Sequence, residues 1–475
     1  MVFKTINRIF FIVICIFNIT ILDAQNIMGI DAFLQLVQVQ SPLAKQAALA
    51  PRRAAEQQRV ARGGFDPMVY SYFDDKFFKE KQYFSLFSSG VKIPLPIGEA
   101  KVGYDVNNGS FLNPEASTPN GGIGALGVSI PLLQGLLIDD RRGAIKQANI
   151  GADMAQIDQS QLLRDLQYEA AQAYWDWVQA TVQAQTFKET YILALERLEA
   201  VKQSVKNGDR AAIDSTEQSL VARQWQIETT NANMRSRAAQ LFAAQYIGET
   251  ADRNTFASVA PVSLAVAEKL PYSFTRINAV AQLDSLRQLG FSLAESNLLL
   301  GLQAYQLKLQ QLDIEQKLKQ EKLKPKLNVN YNALSEQFNY TNTKYGQFYD
   351  NYKLGVQFSY PIFTRTERGG VNLTKIKQEE AAYAQTQKRI ELQTKIAMYS
   401  NELSNNLQQI RLYNQQSRDY TTLRDAEVVK YQLGDSNIFM VNARDTKLLE
   451  AQLKLTELKV KHFKYWSVLQ WLLSA

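Results

Sequence analysis

The chain has 475 residues, 46% of them hydrophobic and 21% charged, with 53 Lys and Arg against 46 Asp and Glu. The formal net charge of +7 is spread among charges of both signs, so nucleic acid is not implied as a partner. Cys15 is the only cysteine, which excludes disulfides and thiol chemistry from the rest of the chain.

Residues 1–24 read as a secretory signal peptide. Lys4 and Arg8 supply a positive start, Ile9 to Leu22 is apolar, and cleavage is expected after Ala24. An uncleaved anchor is the competing reading, but the apolar core is short for a membrane span. No other stretch has the ~18 continuous apolar residues that a spanning helix needs. Contact with a membrane is therefore expected through a β-barrel or at the surface.

Residues 25–64 are predicted as short helices, rich in Ala, Gln and Arg, interrupted at Pro51 and ended by Gly63 and Gly64. Residues 65–131 change to strand. Ala100, Val102, Tyr104 and Val106 alternate with polar or small residues, and Leu126, Val128 and Ile130 do the same after a turn-rich loop. The stretch 68–96 carries further strand-like sequence about a turn at Lys79 to Lys81, and admits either an added barrel hairpin or a flap. Residues 132–247 are predicted as a long helical hairpin. A helix of ~65 residues, about 100 Å at 1.5 Å per residue, is turned at Gly208 and runs back.

A linker at 248–276 contains Pro261 and Pro271, and the pattern then restarts. Short helices are expected at 277–324, broken near Gly290 and Gly301, then a strand pair at 325–361. In that pair Leu327, Val329, Tyr331 and Ala333, and then Leu354, Val356, Phe358 and Tyr360, alternate with polar or small residues. A second long helical hairpin is expected at 362–475, turned at Gly434. Ser129 and Pro131 recur as Ser359 and Pro361, and Gly208 and Asp209 recur as Gly434 and Asp435. That is an internal repeat of two halves.

Each strand pair has one apolar and one polar face. Four strands are too few for a soluble sandwich, and the alternation suits a barrel with lipid outside and water inside. Four strands also cannot close an aqueous barrel, so several chains must share one. Tyr104, Phe358 and Tyr360 suit an interfacial aromatic girdle. A soluble sheet covered by helices is the other reading of the same pattern.

The order of signal peptide, tandem repeat, SIPLLQG and SYPIFTR after the strands, and YQLGDSNI at a helical tip resembles the TolC family of outer-membrane efflux channels. The resemblance covers the whole chain after the leader. It implies a mixed α and β fold: a homotrimer with four strands per chain and twelve in total, continued by a periplasmic α-helical barrel of coiled-coil hairpins. It also implies a bacterial outer-membrane location in contact with lipid. The function implied is the exit duct of a tripartite efflux or type I secretion system, with an adaptor (membrane fusion) protein docking at the tips and an inner-membrane RND, MFS or ABC transporter supplying energy. A periplasmic structural coiled coil without a pore is the alternative.

By the same resemblance, the tip turns and docking positions are Gly208, Asp209, Arg210, Gly434, Asp435 and Ser436. Tyr431 is expected to hydrogen-bond Asp214 as a latch; Asp214 otherwise reads as a solvated carboxylate favoured by a helix N-terminus. Where the family carries a latch arginine this chain has Ser436, and where it carries two pore aspartates this chain has Met440 and Ala443. Candidates for the constriction are therefore Phe439, Met440, Asn442 and Asp445, with apolar closure by size and dewetting as one means; Asn442 and Asp445 equally admit a surface-facing role. His462 has no partner motif and reads as a packed or solvated residue, not a ligand or base, and Trp175, Trp177, Trp466 and Trp471 read as helix packing. No phosphate loop, CxxC pair or nucleophile elbow is present, so neither an enzyme nor a cofactor or metal is expected.

Overall fold

Two long helical hairpins and one antiparallel sheet account for most of the chain. The computed structural model describes residues 26–248, 259–270, 285, 287–292, 295, 299–336 and 351–474. The signal peptide expected at 1–24 lies outside them, as do parts of the linker and of the short helices expected from 277. The described residues fall into two units, one drawn from Met1–Lys45, Leu162–Phe291 and Thr394–Ser474, the other from Gln46–Gln161 and Ser292–Gln393.

The second unit holds the sheet. Its strands are β2 (Met68–Phe78), β3 (Lys81–Pro94), β4 (Glu99–Asn108), β5 (Ile123–Pro131), β7 (Lys326–Glu336) and β8 (Tyr352–Ser359), in the order β2-β3-β4-β5-β7-β8. The expectation of four strands is corrected to six: the stretch at 68–96 is a hairpin in the same sheet. Consecutive aromatics such as Tyr72–Phe73 and Phe77–Phe78 blur the alternation there, and a bulge between Lys76 and Phe77 shifts its phase. Lys79 and Glu80 make the turn, both at positive φ (51° and 60°).

Register keeps the two faces of the sheet separate. Val69, Val91, Val102, Leu126, Ala333 and Tyr352 lie in one row across all six strands. One residue along, Lys92, Lys101, Gly127, Asn332 and Lys353 form a row on the opposite face. Val356 and Phe358 on β8 are 63% and 64% exposed, which leaves the apolar face uncovered by the chain itself.

Below the sheet the connection into the first long helix is tied down by charge. That helix is α4 (Asp140–Lys206), and Asp139 caps it: its Oδ1 accepts from the Arg142 amide at 2.9 Å and from Arg142 Nε at 3.0 Å. The buried Glu321 ends α7 (Leu300–Glu321); its Oε1 accepts from the amides of Gly135 and Leu137, and its Oε2 pairs with Lys324 at 2.7 Å. Lys322 pairs with Asp140 at 2.9 Å and Lys317 with Asp313 at 2.7 Å. A helix boundary falls beside Gly301, as expected: α7 starts at Leu300 after Leu299, which is extended (ψ 135°).

Near Pro51 the helical run is interrupted as expected, at Ala48, because Pro51 has no amide to donate to Ala47 O. The early helices are α1 (Ile30–Gln40), α2 (Pro42–Ala47) and α3 (Leu49–Gly63). Pro51 falls in the first turn of α3, where no intrahelical bond is lost. A further break comes at Ser41, held extended (ψ 131°) before Pro42.

The first unit has the aromatic core. Phe33, Tyr174, Trp175, Trp177 and Phe463 are almost wholly buried, and the rings of Trp175 and Phe463 stack 4.3 Å apart. His462 is also buried, edge-on to Phe463, so of the packed and solvated readings the packed one holds. Two short strands missed in the sequence, β1 (Asn26–Met28) and β6 (Val259–Pro261), pair in parallel. A four-residue helix, α6 (Leu264–Ala267), follows β6 inside the segment read as linker. Strands of three residues carry no alternation to read.

Candidate gating site at the helical tips

The tips join α4 to α5 (Ala212–Ala244) and α8 (Arg365–Leu433) to α9 (Ile438–Ser474). Both are closed by the same backbone device. At the first, the Gly208 amide donates to Val205 O and the Asp209 amide to Ser204 O; at the second, Gly434 donates to Tyr431 O and Asp435 to Lys430 O. These are the paired bonds of a Schellman ending. Each glycine has φ +85°, and a Cβ at either would meet nothing within 4 Å. Glycine is needed for the left-handed backbone, not for space.

Side chains then make the two tips different. The guanidinium of Arg210 lies 4.2 Å from the ring centroid of Tyr431 and 3.9 Å from the carboxylate of Asp214. Asp214 and Tyr431 are thus brought to one site, but through a shared cation in place of the direct hydrogen bond expected. Arg210 stands two residues after Gly208, the place that Ser436 holds after Gly434. The arginine that the resemblance led one to expect in the second tip is absent there, and one stands at the same offset in the first. Comparing the two repeats at that offset is the sequence signal that finds it.

Ser436 Oγ donates to Glu427 Oε1, and Arg444 Nε lies 3.7 Å from the other oxygen of Glu427. Of the six docking positions, Gly208, Asp209, Gly434 and Asp435 are exposed, while Arg210 and Ser436 are half-buried in these contacts.

Beneath the turns, Val201, Ile438 and Val441 are buried together, with Val205, Val428 and Tyr431 packed against them. The aromatic ring of Tyr431 therefore joins an apolar plug as well as facing a cation.

The constriction candidates separate into two groups. Asp445 is mostly buried and paired with Arg197 of α4, and Asn442 Nδ2 donates to Oε1 of the fully buried Gln218 of α5 at 3.0 Å. Both side chains are committed to tying α9 to its neighbours in the same chain, unlike the mouth-lining role expected. Burial, and then the like charge of Arg424, push the Arg197 pKa below its ordinary value. Phe439, by contrast, is 62% exposed, and Met440 beside it is half-buried. The Met440 amide donates to Asn437 Oδ1 at 3.0 Å, so Asn437 caps α9. Arg197, Gln218, Glu427 and Arg444 carry no local motif, and nothing in the sequence singled them out.

Among the described residues no group of His, Cys, Asp or Glu could hold a metal ion. No described helix is long and apolar enough to cross a membrane.

Comparison with known proteins follows the same lines. Residues 299–461 match the family model described as outer membrane efflux protein. No curated protein matches the chain. Among solved structures, the outer membrane protein VceC of Vibrio cholerae is similar with a TM-score of 0.66 at 13% identity, over 94% of this chain and 96% of that one. The open-state MtrE outer membrane channel of Neisseria gonorrhoeae is similar with a TM-score of 0.65 at 13% identity, over 94% and 89%. The CmeC outer membrane channel of Campylobacter jejuni gives 0.65 at 12% identity, over 94% and 85%.

Proposed function

We infer that this chain, whose residues 299–461 belong to the outer membrane efflux protein family, is the exit duct of a tripartite efflux or type I secretion system. The observation that carries this reading is the sheet. An uncovered apolar face and a polar face that continue in register over six strands suit a wall between lipid and water. Three copies share one barrel in this reading, because a single sheet has open edges that lipid does not tolerate. The two helical hairpins lie in the periplasm and end at the tips.

The tips are the gate. Arg210 holds Tyr431 and Asp214 in the closed arrangement, and the Arg197–Asp445 pair holds α9 against α4 behind them. The exposed turns at Gly208–Asp209 and Gly434–Asp435 are where an adaptor protein docks, and docking opens the mouth. Phe439 and Met440 are the residues left to narrow it. An inner-membrane RND, MFS or ABC transporter drives cargo into the duct.

Fractionation tests the reading. A heat-modifiable trimer in outer-membrane fractions is expected; a soluble periplasmic monomer overturns it in favour of a structural coiled coil. Charge reversal at Asp209 and Asp435 together is expected to weaken crosslinking to the adaptor, and unchanged crosslinking removes the docking assignment.

A further inference from the structure

Among the described residues the sheet has two free edges, β2 and β8. All five pairings between them are antiparallel, so β8 runs opposite to β2. Set side by side in neighbouring copies, the two edges continue the antiparallel alternation without a break. An even number of strands is the condition for that, and the hairpin β2–β3 preserves it.

The added hairpin also keeps the faces. Val69 and Phe73 of β2 and Val91 and Phe87 of β3 stand on the face of Val102 and Val106. Ser88 and Lys92 stand on the other, beside Asp105 and Lys101. On that polar face Tyr70 is laid over the strand pair behind it. Its hydroxyl occupies the space where a Cβ on Gly90 or Gly103 would come within 2.6 and 2.9 Å. Lys92 and Lys101 sit 5.3 and 5.1 Å from its ring centroid. A flap that swings free of a barrel does not need a ring seated on two glycines and flanked by two cations.

Closure through β4, the first of the four strands expected from sequence, is blocked. Its outer edge is already paired with β3 over ten registered positions, from Ser85–Asn108 to Pro94–Glu99. The edge left open is β2, and its apolar side chains are bare: Val69 is 76% exposed. Unpaired backbone facing lipid finds no water to bond, so this edge needs a strand.

We propose that β8 of each copy pairs with β2 of the next. Three copies of the six-stranded sheet then close a barrel of eighteen strands, where the family resemblance implied twelve. This rests on the trimeric channel reading above. Barrels of roughly 16–18 strands are wide enough to leave an aqueous channel. The outer-membrane part of the duct is accordingly wider than a twelve-stranded one, and the tips are left as its narrow point.

The test uses full-length protein in outer membranes, with Cys15 as the only native cysteine. Tyr72→Cys on β2 is combined in turn with Lys353→Cys, Gly355→Cys and Gln357→Cys on β8, and oxidised. Ser71→Cys with Ser89→Cys, directly paired within the chain, shows that oxidation reaches the sheet. At least one β2–β8 pair is expected to convert the heat-denatured monomer band into covalent dimer and trimer. Asp105→Cys on β4 with the same β8 series is expected to give none. A heat-modifiable trimer without any β2–β8 crosslink, whether or not β4–β8 pairs form, overturns the eighteen-strand closure and leaves the channel reading intact. A soluble monomer overturns both.

Discussion

Arg210 stacks on Tyr431, 4.2 Å from the ring centroid, while its guanidinium stays within 3.9 Å of Asp214. One cation thus serves a ring on α8 and a carboxylate on α5. An exposed cation–π contact contributes about 0.5–1 kcal/mol, and an exposed ion pair up to about 1 kcal/mol. Arg210→Ala is expected to raise single-channel conductance in planar bilayers. Tyr431→Phe keeps the ring and should change it little, whereas a latch built on the tyrosine hydroxyl predicts the reverse order.

Arg197 and Asp445 are both mostly buried, so removing one leaves the other charge without a partner. Asp445→Asn is expected to lower stability by roughly 1–3 kcal/mol and to open the α4–α9 contact. Faster trypsin cleavage near the tips would report it. The double replacement Arg197→Met with Asp445→Leu should recover most of the loss, because no stranded charge remains. If the double variant is as labile as the single, the pair is not the source of the effect.

Asp139 makes the start of α4 sensitive to acid. Burial alone raises its pKa, but hydrogen bonds from the Arg142 amide and side chain, the charge of Arg142 and a bond from Arg141 outweigh it, and the net shift is downward. A depressed carboxylate contributes stability that is complete above its unfolded pKa of about 3.9 and is lost as pH falls through the folded value. Asp139→Ala should cost about 0.5–2 kcal/mol as a lost cap. In urea melts the gap between parent and variant is expected to hold from pH 5 to 8 and to begin to close as the pH falls below about 4. A gap that does not narrow at all on acidification would mean the carboxylate charge is not its origin.

The Lys79–Glu80 turn places two non-glycine residues at positive φ. Turns of this mirror-image kind favour Asn-Gly. Lys79→Asn with Glu80→Gly is expected to stabilise the β2–β3 hairpin by about 1–2 kcal/mol. The heat-modification temperature of the trimer should rise; no change would place the limiting step of heat dissociation elsewhere.

What the sequence disclosed follows from which signals are local. The long helices lack proline and end at glycines whose left-handed backbone is a local requirement, so Gly208 and Gly434 were legible. Strands β4, β5, β7 and β8 alternate cleanly and were legible too. The hairpin β2–β3 was half visible, because Tyr72–Phe73 and Phe77–Phe78 hide the period of two and its place in the sheet depends on pairing. At the tips, the helical wheel alone does not say which neighbour a residue meets. Asn442 and Asp445 therefore looked like mouth residues until Gln218 and Arg197, more than 200 positions earlier, were seen opposite them. The family resemblance located Tyr431 and Asp214 but not the arginine between them, which this chain carries on the other tip.

The small parallel pair β1–β6 has a consequence for how the chain is made. Met28 O accepts from the Tyr174 hydroxyl, which in turn accepts from the Val262 amide, so the first described strand is locked only when residues on both sides of the α4–α5 hairpin have arrived. Contacts of such sequence separation are slow to form. In the exported protein proposed above, this strand therefore waits, unpaired, through the emergence of about half the chain. A tag fused close before Asn26 would burden that waiting strand, whereas one at the far end would not.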